Sequence, residues 1–370
     1  MNNTVRILRK SLVRKLPKTE FIRQRLQVGL NRKISEARAL ERLEDVRENV
    51  IGSPLRDIEL SFKKSCDVTI VMPVYNVQNY VRSAINSVLT QNVNGIQTEL
   101  ILVNDGCTDD TLKIVDEVLF AYSGPIEVKI VNRENGGLAA ARNTGIEHAS
   151  GKYIIFMDSD DVLGKNAICK LHQSCVANGL DIAQTSFWHF IGNVRWPNSN
   201  TGVNGMPWGK MYAIDLFKRI QFPENAYFED TIVQYLLLPL AQNSAVVNDV
   251  RYYYRTNFGG ISLSSKFSNK VLDTIYMSEL MVESQKKLGI RADTTKLVQY
   301  IHQLILNARR LNQQSMTIQL SAIKRMIKLV KSYEKYIDLN EGLMTDYERK
   351  IIKLIRSENE EKLLSVAMYG

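Results

Sequence analysis

The spacing of apolar positions changes character along the chain, and each change marks a new segment. In residues 1–33, Val5, Leu8, Leu12 and Leu16 recur at helical intervals among Arg6, Arg9, Lys10, Arg14 and Lys15, and Pro17 ends the run. Ile22, Leu26 and Leu30 repeat the pattern among Arg23, Arg25, Arg32 and Lys33. These spacings predict basic amphipathic helices, which suit either a membrane surface or packing on the rest of the protein with the basic face in water. Ile34, Ala37, Leu40 and Leu43 extend a helical stripe over 34–51 until Gly52-Ser53-Pro54 interrupts it.

From Cys66 the pattern becomes strand and helix in alternation. Short β-rich apolar runs at 68–72, 100–103, 127–131 and 153–157 predict strands. Tyr80, Ala84, Ile85, Val88 and Leu89 mark a helix after the first strand, a second helix runs to about Ala121, and Asn135-Gly136-Gly137 opens a third that ends near Ala149. Strands separated by helices predict a parallel sheet with right-handed crossovers. Asp181 to Ser186 reads as another strand, and Phe187 to Trp196 as a hairpin turning at Gly192-Asn193. Beyond Lys266 only helical spacing remains, carried by Leu297, Ile301, Leu304 and Ile305, by Ile323, Met326, Ile327 and Val330, and by Ile351, Ile352, Leu354 and Ile355. The expected organisation is a basic helical extension over 1–65, an α/β catalytic domain over 66–265 and a helical domain over 266–370.

Composition narrows the class. The chain has 370 residues, 45% hydrophobic and 24% charged, as in soluble globular proteins. No apolar run approaches the roughly 18 residues of a membrane span. The N-terminus lacks the apolar core of a secretory signal, and the four cysteines show no disulfide framework, so a cytoplasmic location is expected. Cys169, His172 and Cys175 form a C-x2-H-x2-C without a fourth ligand, which reads as helix packing rather than zinc. The net charge of +9 is uneven: residues 1–33 hold ten Lys or Arg against one acid, while 34–265 are net acidic. Contact of residues 1–33 with the inner face of the cell membrane follows as an expectation; no nucleic-acid partner is expected.

The polar clusters at 73–76, 104–109 and 158–161 all fall at carboxyl ends of predicted strands, where ligands of open parallel sheets collect. Asp158, Asp160 and Asp161 crowd three repelling carboxylates into four residues, which a hard divalent cation such as Mg²⁺ or Mn²⁺ explains better than an acidic turn does. Neither G-x-G-x-x-G after the first strand nor G-x-x-x-x-G-K-[ST] occurs, so a glycine-rich loop is not the main phosphate holder.

Pro73-Val74-Tyr75-Asn76, the turn Asn104-Asp105-Gly106-Cys107-Thr108-Asp109, the segment from Asn135-Gly136-Gly137 through Arg142-Asn143 to Gly145, and Asp158-Ser159-Asp160-Asp161 occur in this order. Together they closely resemble glycosyltransferase family 2, inverting sugar transferases of GT-A fold, over roughly residues 66–260. The resemblance implies a Rossmann-like, mostly parallel sheet flanked by helices. It implies that Pro73, Val74, Tyr75 and Asn76 line the nucleotide pocket. It implies that Asp105 recognises the base, usually uracil, although Asn104 stands where many members carry a further Asp. Gly136, Gly137, Arg142 and Asn143 would lie along the nucleotide and diphosphate. Asp158, with Ser159, would face the ribose or donor sugar, and Asp160 would ligate the metal with help from Asp158 or Asp161.

The same resemblance makes Asp230 the general base at Glu229-Asp230, with Glu229 its partner; read alone, the pair favours a helix dipole. Lys210, in Pro207-Trp208-Gly209-Lys210, and Arg255, after Tyr252-Tyr253-Tyr254 and before the loop Gly259 to Ser262, would contact the diphosphate. Trp188, Trp196 and Trp208 offer flat faces for sugar or ordinary packing. The expected function is transfer of a sugar from a nucleotide diphosphate, UDP above all, to a hydroxyl of a glycan or lipid-linked acceptor in capsule or cell-wall synthesis. The C-terminal helices serve acceptor binding, membrane contact or a homo-oligomer. A nucleotidyltransferase on a related sheet and a non-catalytic scaffold are the alternatives; the first lacks its Arg- and Lys-bearing glycine loop, and the intact acids oppose the second.

Overall fold

The structure is a computed structural model that describes residues 41–45, 50–198, 202–257 and 268–369. The expectations for residues 1–33, for 34–40 and for the loop Gly259 to Ser262 lie outside the described residues. The chain divides into two compact units, Glu48–Ala292 and a second made of Met1–Arg47 with Asp293–Gly370.

In the larger unit β1 (Cys66–Val74), α1 (Val81–Leu89), β2 (Thr98–Asn104), α2 (Thr111–Phe120), β3 (Glu127–Asn132), α3 (Gly137–His148) and β4 (Gly151–Phe156) alternate as the apolar spacing predicts. β3, β2, β1 and β4 lie side by side in that order, all parallel. Every residue of β2 and the last seven of β1 are buried, as in a parallel sheet covered on both faces. The carboxyl ends of β2, β1 and β4 therefore open on one edge.

The sheet then turns mixed. It continues through β5 (Val162–Leu163), β6 (Ile182–Ile191), β7 (Val194–Pro197), β8 (Lys210–Ala213) and β9 (Ser244–Arg255), with α4 (Ala167–Asn178) between β5 and β6. β8 pairs antiparallel with β4 and β6, and β9 runs parallel to β6 and antiparallel to β5. β6 and β7 form the expected hairpin. This order brings Arg255, at the end of β9, back to the loop that precedes β5.

One glycine shows how tightly α3 seats on the sheet. A Cβ on Gly145 would stand 2.2 Å from Val71 Cγ1, so any larger residue would force helix and strand apart. Residues 52–60 run beside 218–224, with Gly52 N donating to Glu224 O and Leu60 N to Lys218 O.

After Asp230 the chain enters a wide helical turn, Val233–Leu237, before the short helical stretch Leu238–Leu240. Pro239 explains the irregularity: it has no N–H for the carbonyl four residues earlier, and its ring crowds that carbonyl. The carbonyl is Tyr235 O, and the side chain of Gln285 supplies the missing donor at 2.8 Å. Gln285 lies on α5 (Asp273–Lys287), which belongs to the larger unit.

The second unit is helical, as its spacing predicts. α6 (Thr294–Arg310), α7 (Met316–Glu334), α8 (Asp346–Arg356) and α9 (Glu360–Tyr369) bury Leu297, Ile301, Leu304, Ile323, Ile327, Val330, Ile351 and Ile355. Each such side chain contributes about 1.5–3 kcal/mol on burial. Asp293, Ser315 and Thr345 cap the first three helices, Thr345 in a reciprocal capping box with Glu348. No helix among the described residues is long and apolar enough to cross a membrane.

Candidate active site

The loops after β1 and β2 are stitched together. Asn76, in a left-handed conformation, accepts from Thr108 N at 2.8 Å, and Val77 N donates to Thr111 Oγ1 at 2.8 Å. Pro73 and Val74 are buried at the strand end and Tyr75 stands half-exposed beyond them.

Asp105 is almost wholly buried. Its Oδ1 accepts from Gly136 N at 3.0 Å and its Oδ2 from Gly137 N at 2.8 Å, with the Arg133 guanidinium 3.2 Å away. The carboxylate thus seats the N-terminus of α3, where the helix dipole favours negative charge. Each carboxylate oxygen carries a second lone pair, so contact with a base stays chemically compatible. Asn104 holds the same turn, accepting from Cys107 N and donating to Asn132 Oδ1.

Arg142 and Asn143 are turned into the protein instead of lying along an open groove. Asn143 clasps Phe222 through both backbone groups, at 2.8 and 2.9 Å, and donates to Glu224. Arg142 is 1% exposed; its guanidinium donates to Asp158 Oδ1 at 2.8 Å and to Glu229 Oε1 at 2.7 Å, with Phe222 beneath it. These residues sit on the α3 face that looks at the sheet and at residues 222–229, which is why their polar ends meet partners inside. The bridge brings the acid motif at 158 and the acid pair at 229–230 into one site.

The three aspartates have different partners. Asp158 faces Arg142, and its backbone N donates to the Tyr252 hydroxyl oxygen. Buried Ser159 follows it. Asp160 accepts from Asn257 Nδ2 at 3.2 Å. Asp161 is fully buried and accepts from the Arg255 backbone N at 2.7 Å, and no donor reaches its Oδ2. Among the described residues no three Asp, Glu, His or Cys side chains converge as a metal-binding group. Asp158 and Asp161 thus each hold a protein partner as well, Arg142 and the Arg255 amide.

The electrostatics still favour a cation. Burial and the Asp158 charge push the Asp160 carboxyl above its ordinary value. Burial, then the charges of Asp158 and Asp160, push Asp161 well above it. Mutually repelling acids with an undonated oxygen fit Mg²⁺ or Mn²⁺, which use one or two carboxylates and complete their shell with water and phosphate oxygens.

Arg255 borders this acid cluster. Its Nε donates to Asp160 O at 2.5 Å, and its guanidinium lies over the rings of Phe190 and Tyr80, 4.3 and 4.9 Å from their centroids. Glu229 and Asp230 occupy the turn just ahead of the helix rather than its first turn. Burial and the Asp230 charge raise the Glu229 carboxyl despite Arg142.

Lys210 is fully buried, its ammonium bound to Asn204 Oδ1 at 2.8 Å and to Met206 O. It points into the protein near Asp230; burial holds its pKa well below the ordinary value against the pull of Asp230. Trp208 is core: it stacks on Tyr252 at 4.7 Å and Tyr254 at 5.0 Å and is 6% exposed. Trp188 lies under Arg251, and Trp196, 40% exposed, stacks on His189.

Four contributors escape sequence reasoning. Tyr252 and Asn257 hold the acid motif, Tyr80 supports Arg255, and Asp273 accepts from Tyr227 N at 2.9 Å, fixing the chain ahead of Glu229. Only Tyr252 left a signal, through its place in the Y-Y-Y-R run.

Residues 69–229 match the family model described as glycosyl transferase family 2. The chain is 29% identical over 222 residues to the glycosyltransferase GlyA of Streptococcus pneumoniae, covering 53% of this chain and 31% of that protein. It is 25% identical to GlyG of the same species, covering 64% of this chain and 90% of GlyG. The poly(ribitol-phosphate) beta-N-acetylglucosaminyltransferase TarS of Staphylococcus aureus is 29% identical over 54% of this chain and 37% of its own. The alignments thus span about a third of the length of GlyA and of TarS. The crystal structure of TarS residues 1–349 in complex with UDP-GlcNAc superposes with a TM-score of 0.59 at 19% identity, covering 81% of this chain and 90% of that one. The likeness identifies the fold as GT-A.

Proposed function

We propose, for a chain whose residues 69–229 belong to glycosyl transferase family 2, that it moves a sugar with inversion from a UDP-linked donor to an acceptor hydroxyl in cell-wall, capsule or other glycan synthesis. The observation that carries the reading is the Arg142 bridge, which couples the acid motif at the sheet edge to the acid pair at 229–230. The UDP-GlcNAc complex of TarS supports a UDP-sugar donor, and the names of the relatives support a cell-wall glycan acceptor.

In this reading Tyr75 and Asn76 border the nucleotide, and Asp105 keeps a lone pair for the base. Asp160, with Asp158, would hold Mg²⁺ or Mn²⁺; when bound, that ion supplies positive charge to the diphosphate. Arg255, steadied by two rings, offers its guanidinium to the departing phosphates. Asp230 takes the proton of the acceptor hydroxyl as that oxygen bonds to the anomeric carbon. The bond from that carbon to the diphosphate oxygen breaks in the same displacement, and the nucleoside diphosphate leaves from the opposite face. An α-linked donor gives a β-linked product. Arg142 and Glu229 position the base without touching substrate.

Two variants test this. Asp160→Ala is expected to weaken metal-dependent UDP binding in calorimetry. Asp230→Asn is expected to keep that binding and lose about 10²–10⁴-fold in turnover. Near-normal, metal-independent transfer by both proteins would falsify the reading.

A further inference from the structure

The second unit carries an unassigned concavity. It measures about 310 Å³ and is lined by Asp346, Arg349, Lys350, Lys353 and Leu354 of α8 and by Lys362 of α9. Its size is that of a small-ligand site. Arg349 is engaged with Asp346 and with the carbonyl of Glu341. Lys350, Lys353 and Lys362 are exposed and, among the described residues, have no carboxylate within ion-pair distance. Three acids of the same unit are committed to other cations: Glu358 to Lys331, Glu334 to Arg356 and Glu360 to Lys324.

Asp346 offsets part of the charge, pairing with Arg349 and standing one turn before Lys350, but the cations beyond it remain an unfavourable distribution. Arg349 and Lys353 are one helical turn apart at i,i+4, and Lys350 and Lys353 at i,i+3, spacings at which like charges destabilise a helix. Lys362 adds a third free ammonium from the neighbouring helix. An anion seated in the recess would offset the repulsion. Lysine ammoniums recognise phosphate as point charges. Leu354 is the only apolar lining residue and is itself buried, so the recess has no apolar side chains to insert into a bilayer. No aromatic ring lines it to stack on a base.

We propose that this recess binds phosphate groups of a soluble polyanionic chain. The test uses the full-length protein in EDTA, with tripolyphosphate as the probe in calorimetry. K350Q/K353Q/K362Q is expected to weaken binding about tenfold or more, while K113Q/K165Q/K170Q, exposed lysines of the other unit, changes nothing. The pocket variant is also expected to melt at or above the wild-type temperature, since repulsion is relieved. Unchanged binding in the pocket variant, or equal loss in both, overturns the proposal. So does a lowered melting temperature, which would make the lysines structural. Vesicles of phosphatidylglycerol in phosphatidylcholine provide the other arm: lysine-dependent vesicle binding with tripolyphosphate binding unaffected would identify a membrane contact and overturn it. Asp160→Ala is expected to bind tripolyphosphate normally; loss there would move the anion to the catalytic unit and overturn it as well.

Discussion

Arg142 and Glu229, 87 residues apart in the chain, form a 2.7 Å ion pair beneath the proposed active site, and the same guanidinium holds Asp158. Removing the cation leaves the Asp158 and Glu229 carboxylates without their shared, buried partner. Arg142→Met is expected to cost about 3–5 kcal/mol, measured by urea unfolding, with Arg142→Lys recovering part of it. Wild-type stability in the Met variant would mean that the bridge holds nothing together.

Glu99 gives a pH prediction. Burial works against its ionisation, but hydrogen bonds from Lys129, Thr69 and Ser150 outweigh it and hold the carboxyl below its usual value. A depressed folded value stabilises the protein above the unfolded value near 4.5, and the contribution disappears as pH falls through the folded one. The stability gap between wild type and Glu99→Gln is therefore expected to be largest at pH 7 and to shrink in acid. A gap that widens below pH 4 has the wrong sign for this account.

The tryptophans are expected to separate by role. Trp208→Ala empties a packed stack and should cost about 3–5 kcal/mol. Trp196→Ala, on the exposed hairpin, should leave the melting temperature nearly unchanged. Equal losses would contradict the difference in burial.

Gly145→Ala is expected to destabilise by about 1–3 kcal/mol, because its methyl would meet Val71. Shortening that neighbour in Gly145→Ala/Val71→Ala should recover part of the loss in thermal melts, and no recovery would mean the clash lies elsewhere.

The order of strands and helices from Cys66 to Phe156 is legible because uninterrupted apolar runs and helical stripes obey local rules. So is the gathering of residues 75–76, 105 and 158–161 at one sheet edge. Side-chain direction is not. The family resemblance makes Arg142, Asn143 and Lys210 donor contacts, yet each finds buried partners: Arg142 and Asn143 from the distant Glu229 and Phe222, Lys210 from Asn204 in the loop just ahead of its strand. The three aspartates adjoin in sequence, but the sequence does not show that Arg142 holds one of them and the Arg255 amide another. Asp273 is invisible for a related reason: its value lies in Tyr227 N, which no periodicity connects to it.

Helix α5 has a practical meaning for anyone trimming this protein. It begins after the family-matching segment ends, so a minimal fragment drawn from that match would omit it. Yet its first residue fastens Tyr227, and its Gln285 fills in for the donor that Pro239 lacks. A fragment cut just ahead of α5 would keep Asp158, Asp160, Asp161 and the Glu229-Asp230 pair but hold the 227–240 segment on a looser leash, so the proton transfer proposed for Asp230 would be the first thing expected to suffer.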